Sequence, residues 1–192
     1  MTFTVFLDRD GVLDPAPRIA RRSWKRWQWL PGAKGALARL NRPDIQVCLC
    51  TNQPWVGTGL LPRRKLERLH AEMLGEIHDA GGRIARIEYA TQAFGRRHKP
   101  NPGMLEDGGQ ALGASPALSV MVGDNIKDAQ AAAGYGCRAI LLETTHTKEE
   151  LQKGLAKKGI VADLVPDLSA AVDLILDIVG PAPPPAKSSR SS

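Results

Sequence analysis

Two carboxylates set two residues apart, Asp8 and Asp10, follow the apolar run Val5-Phe6-Leu7 and precede Gly11. A short apolar run closed by a turn signal reads as a buried strand. In an open α/β sheet, ligands collect outside the carboxyl ends of the strands, so the pair would stand at the mouth of a site. Two close acids resist carrying full charge together unless a cation lies between them, and Mg²⁺ suits an oxygen-rich site that protein fills only in part. An ionised Asp can also attack phosphorus and form an aspartyl-phosphate. Taken alone, the stretch also fits a solvated turn, because Asp and Gly are ordinary turn residues.

Three later segments supply what such chemistry would need. A second apolar run, residues 45–50, passes into Thr51-Asn52-Gln53. Residues 91–103 carry Arg96, Arg97, His98 and Lys99 ahead of Pro100 and Pro102, and the prolines argue for a loop near strand ends. A fourth apolar run, 118–122, ends in Gly123-Asp124, with Asp128 about one turn into the helix expected to follow. A transferring phosphoryl group spreads negative charge over its oxygens, so placed cations and hydrogen-bond donors do most of the stabilising.

The elements that must position these groups alternate. Strands are predicted at 45–50, 84–89, 118–122, 138–142 and, briefly, 162–165. Helices are predicted at 33–40, from Pro62 through Ile77, and at 103–112, 126–133, 148–158 and 168–179. Residues 54–61 read as a flexible loop. Such alternation predicts an α/β fold, a Rossmann-like parallel sheet flanked by helices. One domain over 1–179 is expected, and the Pro- and Ser-rich segment 180–192 reads as a disordered tail. His70 and His78, two turns apart on one helix, read as helix-surface or core-edge histidines.

With 192 residues, 43% hydrophobic and 24% charged, the chain has globular composition and enough length for one core. No stretch approaches the roughly 20 apolar residues of a membrane span, and no export signal is expected at the start. Cys48 and Cys50 are expected on opposite strand faces, and they and Cys137 as free thiols, which suits a reducing cytoplasm. The formal charge of +6 fits an anionic substrate or nucleic acid. Residues 13–31 interleave Arg18, Arg21, Arg22, Lys25 and Arg26 with Trp24, Trp27 and Trp29. Such a loop could clamp an anion or stack on a ring, or its tryptophans could cover the core edge while the cations stay solvated.

In this order, the four motifs resemble the haloacid dehalogenase superfamily of phosphotransferases over roughly residues 3–145. Asp8-Arg9-Asp10-Gly11-Val12 is similar to its nucleophile motif, Thr51-Asn52-Gln53 to its phosphate-binding motif, Lys99-Pro100 to its lysine motif, and Gly123-Asp124 through Asp128 to its metal motif. The resemblance implies that Asp8 attacks phosphorus and that Asp10 protonates the leaving oxygen and then activates water. Thr51 and Lys99 would bind the phosphoryl group. Asp8, the Asp10 carbonyl and Asp124 would hold Mg²⁺, with Asp128 in support.

The Thr-Asn-Gln sequence, Lys99 to Met104, and Asp124 to Ala132 further resemble the heptose bisphosphate and histidinol-phosphate phosphatases, a branch with little or no cap domain. Three departures fall where the non-reacting part of a substrate would lie. Residues 91–98 lack the cysteines of a zinc loop, so no zinc is expected. His98 stands where an arginine is usual, with Arg97 as a substitute, and Pro54, Trp55 and Thr58 alter the loop after Gln53. Asn52, Gln53, Trp55, Arg97 and His98 are the substrate-binding candidates.

The expectation is a monomeric, cytoplasmic, Mg²⁺-dependent phosphomonoester hydrolase. Its substrate would be a small phosphorylated metabolite such as a heptose bisphosphate, with no membrane partner. The alternative is a polynucleotide 3′-phosphatase, which the charge and the Trp-Arg loop would suit. A third reading, a binding domain that keeps the fold without activity, fits poorly with a chain retaining every acid and the lysine.

Overall fold

The computed structural model describes residues 2–16 and 24–183. The expectations placed on Arg18, Arg21 and Arg22, and on the tail beyond residue 183, lie outside the described residues.

The elements run β1 (Phe3–Leu7), α1 (Ala33–Arg39), β2 (Ile45–Asn52), α2 (Pro54–Gly57), α3 (Arg63–Asp79), β3 (Arg86–Ala90), α4 (Gly103–Leu112), β4 (Ser119–Gly123), α5 (Ile126–Tyr135), β5 (Arg138–Leu142), α6 (Lys148–Lys158), β6 (Asp163–Val165) and α7 (Leu168–Val179). The six strands form one sheet in the order β3-β2-β1-β4-β5-β6, and every neighbouring pair is parallel. This is the α/β sheet expected from the sequence. The chain order reverses beside β1, so the crevice for a ligand opens at the carboxyl ends of β1, β2 and β4.

Side chains of a strand alternate between faces, and the core divides accordingly. Val5 and Leu7 of β1 pack with Leu37 of α1, Met73 of α3 and Val172 of α7. Phe6 points the other way, against Met104 of α4, Ala132 of α5 and Leu151 of α6. A fully buried side chain of this size stabilises the fold by roughly 2–3 kcal/mol. Both faces are thus covered, as a parallel sheet requires.

Three local readings change. Residues 54–57 form the short helix α2 rather than a flexible loop, because Pro54 sits in the first helical turn, where its fixed φ and missing N–H are tolerated. Thr51 and Asn52 continue β2, pairing with Tyr89 and Ala90. Cys48 and Cys50 do not face opposite ways: residues two apart on a strand share a face, and their Sγ atoms lie 3.9 Å apart in the core. They and Cys137 are free thiols.

The tryptophans are spent on the core edge. Trp24 and Trp27 stack at 5.0 Å and Trp29 meets Trp27 edge-on at 5.1 Å. Trp29 Nε1 donates to Glu76 on α3 at 2.7 Å, and Trp27 is buried. No helix among the described residues is long and apolar enough to cross a membrane.

Candidate active site

Register places the two carboxylate motifs side by side. Leu7 pairs with Leu49 on one side and Val122 on the other, so Asp8 emerges level with Gly123-Asp124. The Asp8 N–H donates to the Val122 carbonyl at 2.9 Å. Two glycines permit the close approach. Gly11 has φ +83°, and a Cβ there would lie 2.0 Å from Asp124 Oδ2; a Cβ on Gly123 would lie 2.3 Å from the Asp128 carboxyl. Any side chain at either position would displace an acid.

Asp128 serves two structures at once. Its Oδ2 accepts from the Asn125 N–H at 3.1 Å, completing a capping box on α5. Its Oδ1 faces Lys99 Nζ at 2.6 Å, and the same Nζ is 3.0 Å from Asp8 Oδ1. The helix cap thereby fixes the carboxylate that faces the cavity. Although burial opposes its charge, Asp128 and Asp8 raise the pKa of the Lys99 ammonium above its ordinary value. Burial raises Asp8 to about 8, with Lys99 opposing and Asp128, Asp124 and Asp10 adding repulsion. Burial and Asp128 raise Asp124 to about 6, while Thr145 hydrogen-bonds its carboxyl.

Asp10 is held from two sides. The Arg9 guanidinium donates through Nη2 to both of its oxygens at 2.9 Å and through Nε at 3.2 Å. Gln53 Nε2 donates to Asp10 Oδ2 at 2.8 Å and to Thr51 Oγ1 at 2.9 Å. Thr51 Oγ1 accepts there, so its hydroxyl hydrogen stays available to a ligand. Asn52 braces the lysine loop: its Oδ1 accepts from the Lys99 N–H and its Nδ2 donates to the Lys99 carbonyl, both at 3.0 Å.

These groups line a cavity of about 210 Å³, whose walls include Asp8, Asp10, Thr51, Asn52, Lys99, Asp124, Lys127 and Asp128. That is below the usual range for a whole small-molecule ligand, so it suits a phosphoryl end and leaves the rest to surrounding loops. Lys99 Nζ and Asp128 Oδ1 are buried with no partner in good hydrogen-bond geometry; the contacts between them and with Asp8 are charge attraction. Asp8, Asp124 and Asp128 each offer an oxygen, all within 4.8 Å of one another. An all-carboxylate set of this kind fits a hard divalent cation such as Mg²⁺, and Lys99 fits a phosphoryl oxygen.

The candidates for the rest of a substrate are mostly engaged elsewhere. Gln53 is buried on Asp10 and Thr51. Trp55 packs beside Leu61, Leu66 and Tyr89. Arg97 is ion-paired to Glu88 and Asp107, which draws its guanidinium toward β3 and α4. His98 Nδ1 donates to the Gln92 carbonyl at 2.8 Å and its Nε2 accepts from Asn52 at 3.2 Å. Burial lowers its pKa. Of the five, Asn52 alone lines the acidic cavity.

Sequence reasoning missed four participants. Thr145 on Asp124, and Thr144, which donates to the Gly11 carbonyl at 2.5 Å, follow β5; the strand-exit rule applied to a fifth strand would have found both. Lys127 lies in the metal motif but was not singled out. His70, buried 61 residues away in sequence from Arg9, accepts from Arg9 Nη1 at 3.1 Å, and no local pattern announces that contact. His78 is exposed, as a helix-surface histidine should be.

A family model described as HAD-hydrolase-like matches residues 96–171, which include Lys99, Asp124 and Asp128. The chain is 31% identical to a D-glycero-β-D-manno-heptose-1,7-bisphosphate 7-phosphatase of Bordetella bronchiseptica, over 90% of this chain and 97% of that protein. It is 32% identical to the D-glycero-α-D-manno-heptose-1,7-bisphosphate 7-phosphatase of Mycobacterium tuberculosis, over 83% of each. A crystal structure of the D,D-heptose 1,7-bisphosphate phosphatase from B. bronchiseptica, complexed with magnesium and phosphate, superposes with a TM-score of 0.82, covering 93% of this chain and 99% of that one at 31% identity. Likeness over nearly the full length, together with acids and lysine gathered at one sheet edge, makes this chain a phosphatase that belongs to the haloacid dehalogenase superfamily, in the branch of the heptose bisphosphate phosphatases.

Proposed function

We propose that the chain hydrolyses a phosphomonoester of a small sugar, of the heptose bisphosphate type, through an aspartyl-phosphate on Asp8 with Mg²⁺ as cofactor. The carrying observation is the contact of Lys99 Nζ with both Asp8 and Asp128 in a cavity sized for a phosphoryl group. The Asp8 carboxylate attacks phosphorus while the bond to the sugar oxygen breaks, and Asp10 gives that oxygen a proton. Asp10, now a base, takes a proton from water; the water oxygen bonds to phosphorus and the Asp8–phosphorus bond breaks. Phosphate leaves, and both acids return to their starting states. Lys99 and the Thr51 hydroxyl orient the phosphoryl oxygens throughout. Mg²⁺, held by Asp8, the Asp10 carbonyl and Asp124 with Asp128 in support, would supply charge neutralisation. Free thiols support a reducing, cytoplasmic setting. No zinc is expected.

A phosphate-release screen with Mg²⁺ tests the substrate class. The panel is heptose 1,7-bisphosphate in both anomers, histidinol phosphate, other sugar phosphates and a 3′-phosphorylated oligonucleotide. Preference for a heptose bisphosphate is expected. Preference for the oligonucleotide would contradict the reading, and the packing of Trp24, Trp27 and Trp29 on one another already leaves those rings poorly suited to stacking bases.

A second prediction concerns pH. Asp8 at about 8 and Asp124 at about 6 both stand above the ordinary 3.8. Raised carboxyls bind protons more tightly folded than unfolded. Their contribution to stability is therefore present below 3.8 and is lost as pH climbs through 6 and 8. A cation needs these groups ionised. Thermal melts should show Mg²⁺ raising Tm more near pH 8 than near pH 5, compared with chelator. An equal shift at both would contradict Asp8 and Asp124 as ligands.

A further inference from the structure

The mechanism leaves one buried pair without a role: Arg9, whose side chain is 1% exposed, and His70 of α3, 5% exposed. Arg9 stands between the two catalytic acids, yet its guanidinium turns inward. Through Nη2 it holds both oxygens of Asp10, and through Nη1 it meets His70 Nε2 at 3.1 Å. A guanidinium only donates, so His70 Nε2 must be the acceptor and the imidazole must be neutral. Burial and the Arg9 charge hold its pKa down to about 3, which keeps that acceptor in place near neutral pH. The ring also meets Tyr89 edge-on at 5.7 Å, which limits its rotation. Asp10 is therefore directed by a chain that runs from helix α3 through His70 and Arg9, with Gln53 closing the other side.

The geometry points to His70 as a positioning residue, which through Arg9 sets the direction of the Asp10 carboxyl and so its fitness to pass protons to the leaving oxygen and from water. This rests on the acid–base role given to Asp10 under the proposed function. A guanidinium with five donors and no fixed acceptor on its far side could pivot about its bond to Asp10. A shift of about 1 Å in a proton-transfer group can cost on the order of 10²-fold in rate.

The test compares leaving groups. An alkyl phosphate, such as a sugar phosphate, releases an alkoxide that needs a proton, whereas para-nitrophenyl phosphate releases a phenolate that does not. His70→Phe keeps the ring and loses the acceptor; His70→Gln restores an acceptor through its side-chain carbonyl. Arg9→Lys keeps the charge and loses the two-point grip on Asp10. Expected is a fall of roughly 10-fold or more in kcat/KM for the sugar phosphate in His70→Phe and Arg9→Lys, with a change of less than about threefold on para-nitrophenyl phosphate. His70→Gln should recover most of the loss. A purely structural role would lower both substrates alike in every variant, and that result would overturn the proposal. If His70→Phe fails to fold, His70→Leu, which also lacks the acceptor, takes its place beside Arg9→Lys, with His70→Gln still expected near the parent on both substrates.

Asp10→Asn runs alongside as the control. If it shows no leaving-group discrimination, the acid role of Asp10 falls, and with it the proposed mechanism. If it discriminates while the His70 and Arg9 variants do not, only the positioning proposal falls.

Discussion

Asp8→Asn abolishes turnover, by an expected factor of at least about 10⁴ in kcat, and leaves the protein folded. An amide cannot serve as an anionic nucleophile, and no other carboxylate shares its place. Asp124 is hydrogen-bonded by Thr145, and Asp128 is committed to the α5 cap through Oδ2. Asn matches Asp in shape, so the β1–β4 junction is undisturbed. Its stability follows from the same electrostatics. Asp8 is raised to about 8 by burial and by repulsion from three acids, so removing its charge relieves the cluster, and Lys99 retains Asp128 at 2.6 Å. With chelator present near pH 8, Tm of Asp8→Asn should equal or exceed that of the parent. Near-parental turnover in this variant, measured by phosphate release, would exclude Asp8 as nucleophile.

Lys99→Met is the second large effect, and it strikes activity and stability together. Lys99 is the cation buried among Asp8, Asp124 and Asp128, with a side chain 2% exposed. Its removal takes the buried cation from a cavity that, among the described residues, Lys127 alone also lines with a positive charge, and a loss of about 10³-fold in kcat/KM is expected from a site of this kind. Breaking a buried ion pair from one side typically costs about 3–5 kcal/mol, because the remaining charges are left uncompensated. The sign with pH is definite. Without Lys99, whose charge lowers the Asp8 pKa, that carboxyl rises further, and protonation offsets the missing cation in acid. The deficit in Tm should thus be largest near pH 8 and shrink near pH 5. Equal deficits at both values would mean that Lys99 stabilises by packing alone.

What the sequence disclosed about the site was what register alone can carry. Asp8, Thr51 and Asp124 each directly follow or end an apolar run, and in a parallel sheet such positions converge whatever the loops do. Lys99 was legible because Pro100 and Pro102 fix it on a loop at that same edge. Contacts made by long side chains turning inward were not legible. Arg97 reads as a cation near a substrate, but Glu88 on β3 and Asp107 on α4 claim it, and no local pattern links a loop cation to acids on the two elements that flank the loop. His70 reads as one more histidine on an amphipathic helix, because its meaning lies in Arg9, across the α3 packing. The tryptophans of 24–29 read two ways, and Glu76, which holds Trp29 Nε1, decides for the core edge. The pairing of Cys48 and Cys50 needed only the period of a strand.

The central claim is a covalent phosphoryl group on Asp8, and it can be seen directly. In Asp10→Asn, para-nitrophenyl phosphate should still phosphorylate Asp8, since its leaving group needs no proton, while the missing base blocks the attack by water. Mixed with Mg²⁺ and quenched in acid, the variant should release one burst of nitrophenol per protein. Intact mass spectrometry should show the gain of one phosphoryl group, which peptide mapping assigns to Asp8. A protein that releases nitrophenol with no burst and carries no added mass, or carries it on another residue, would contradict the account.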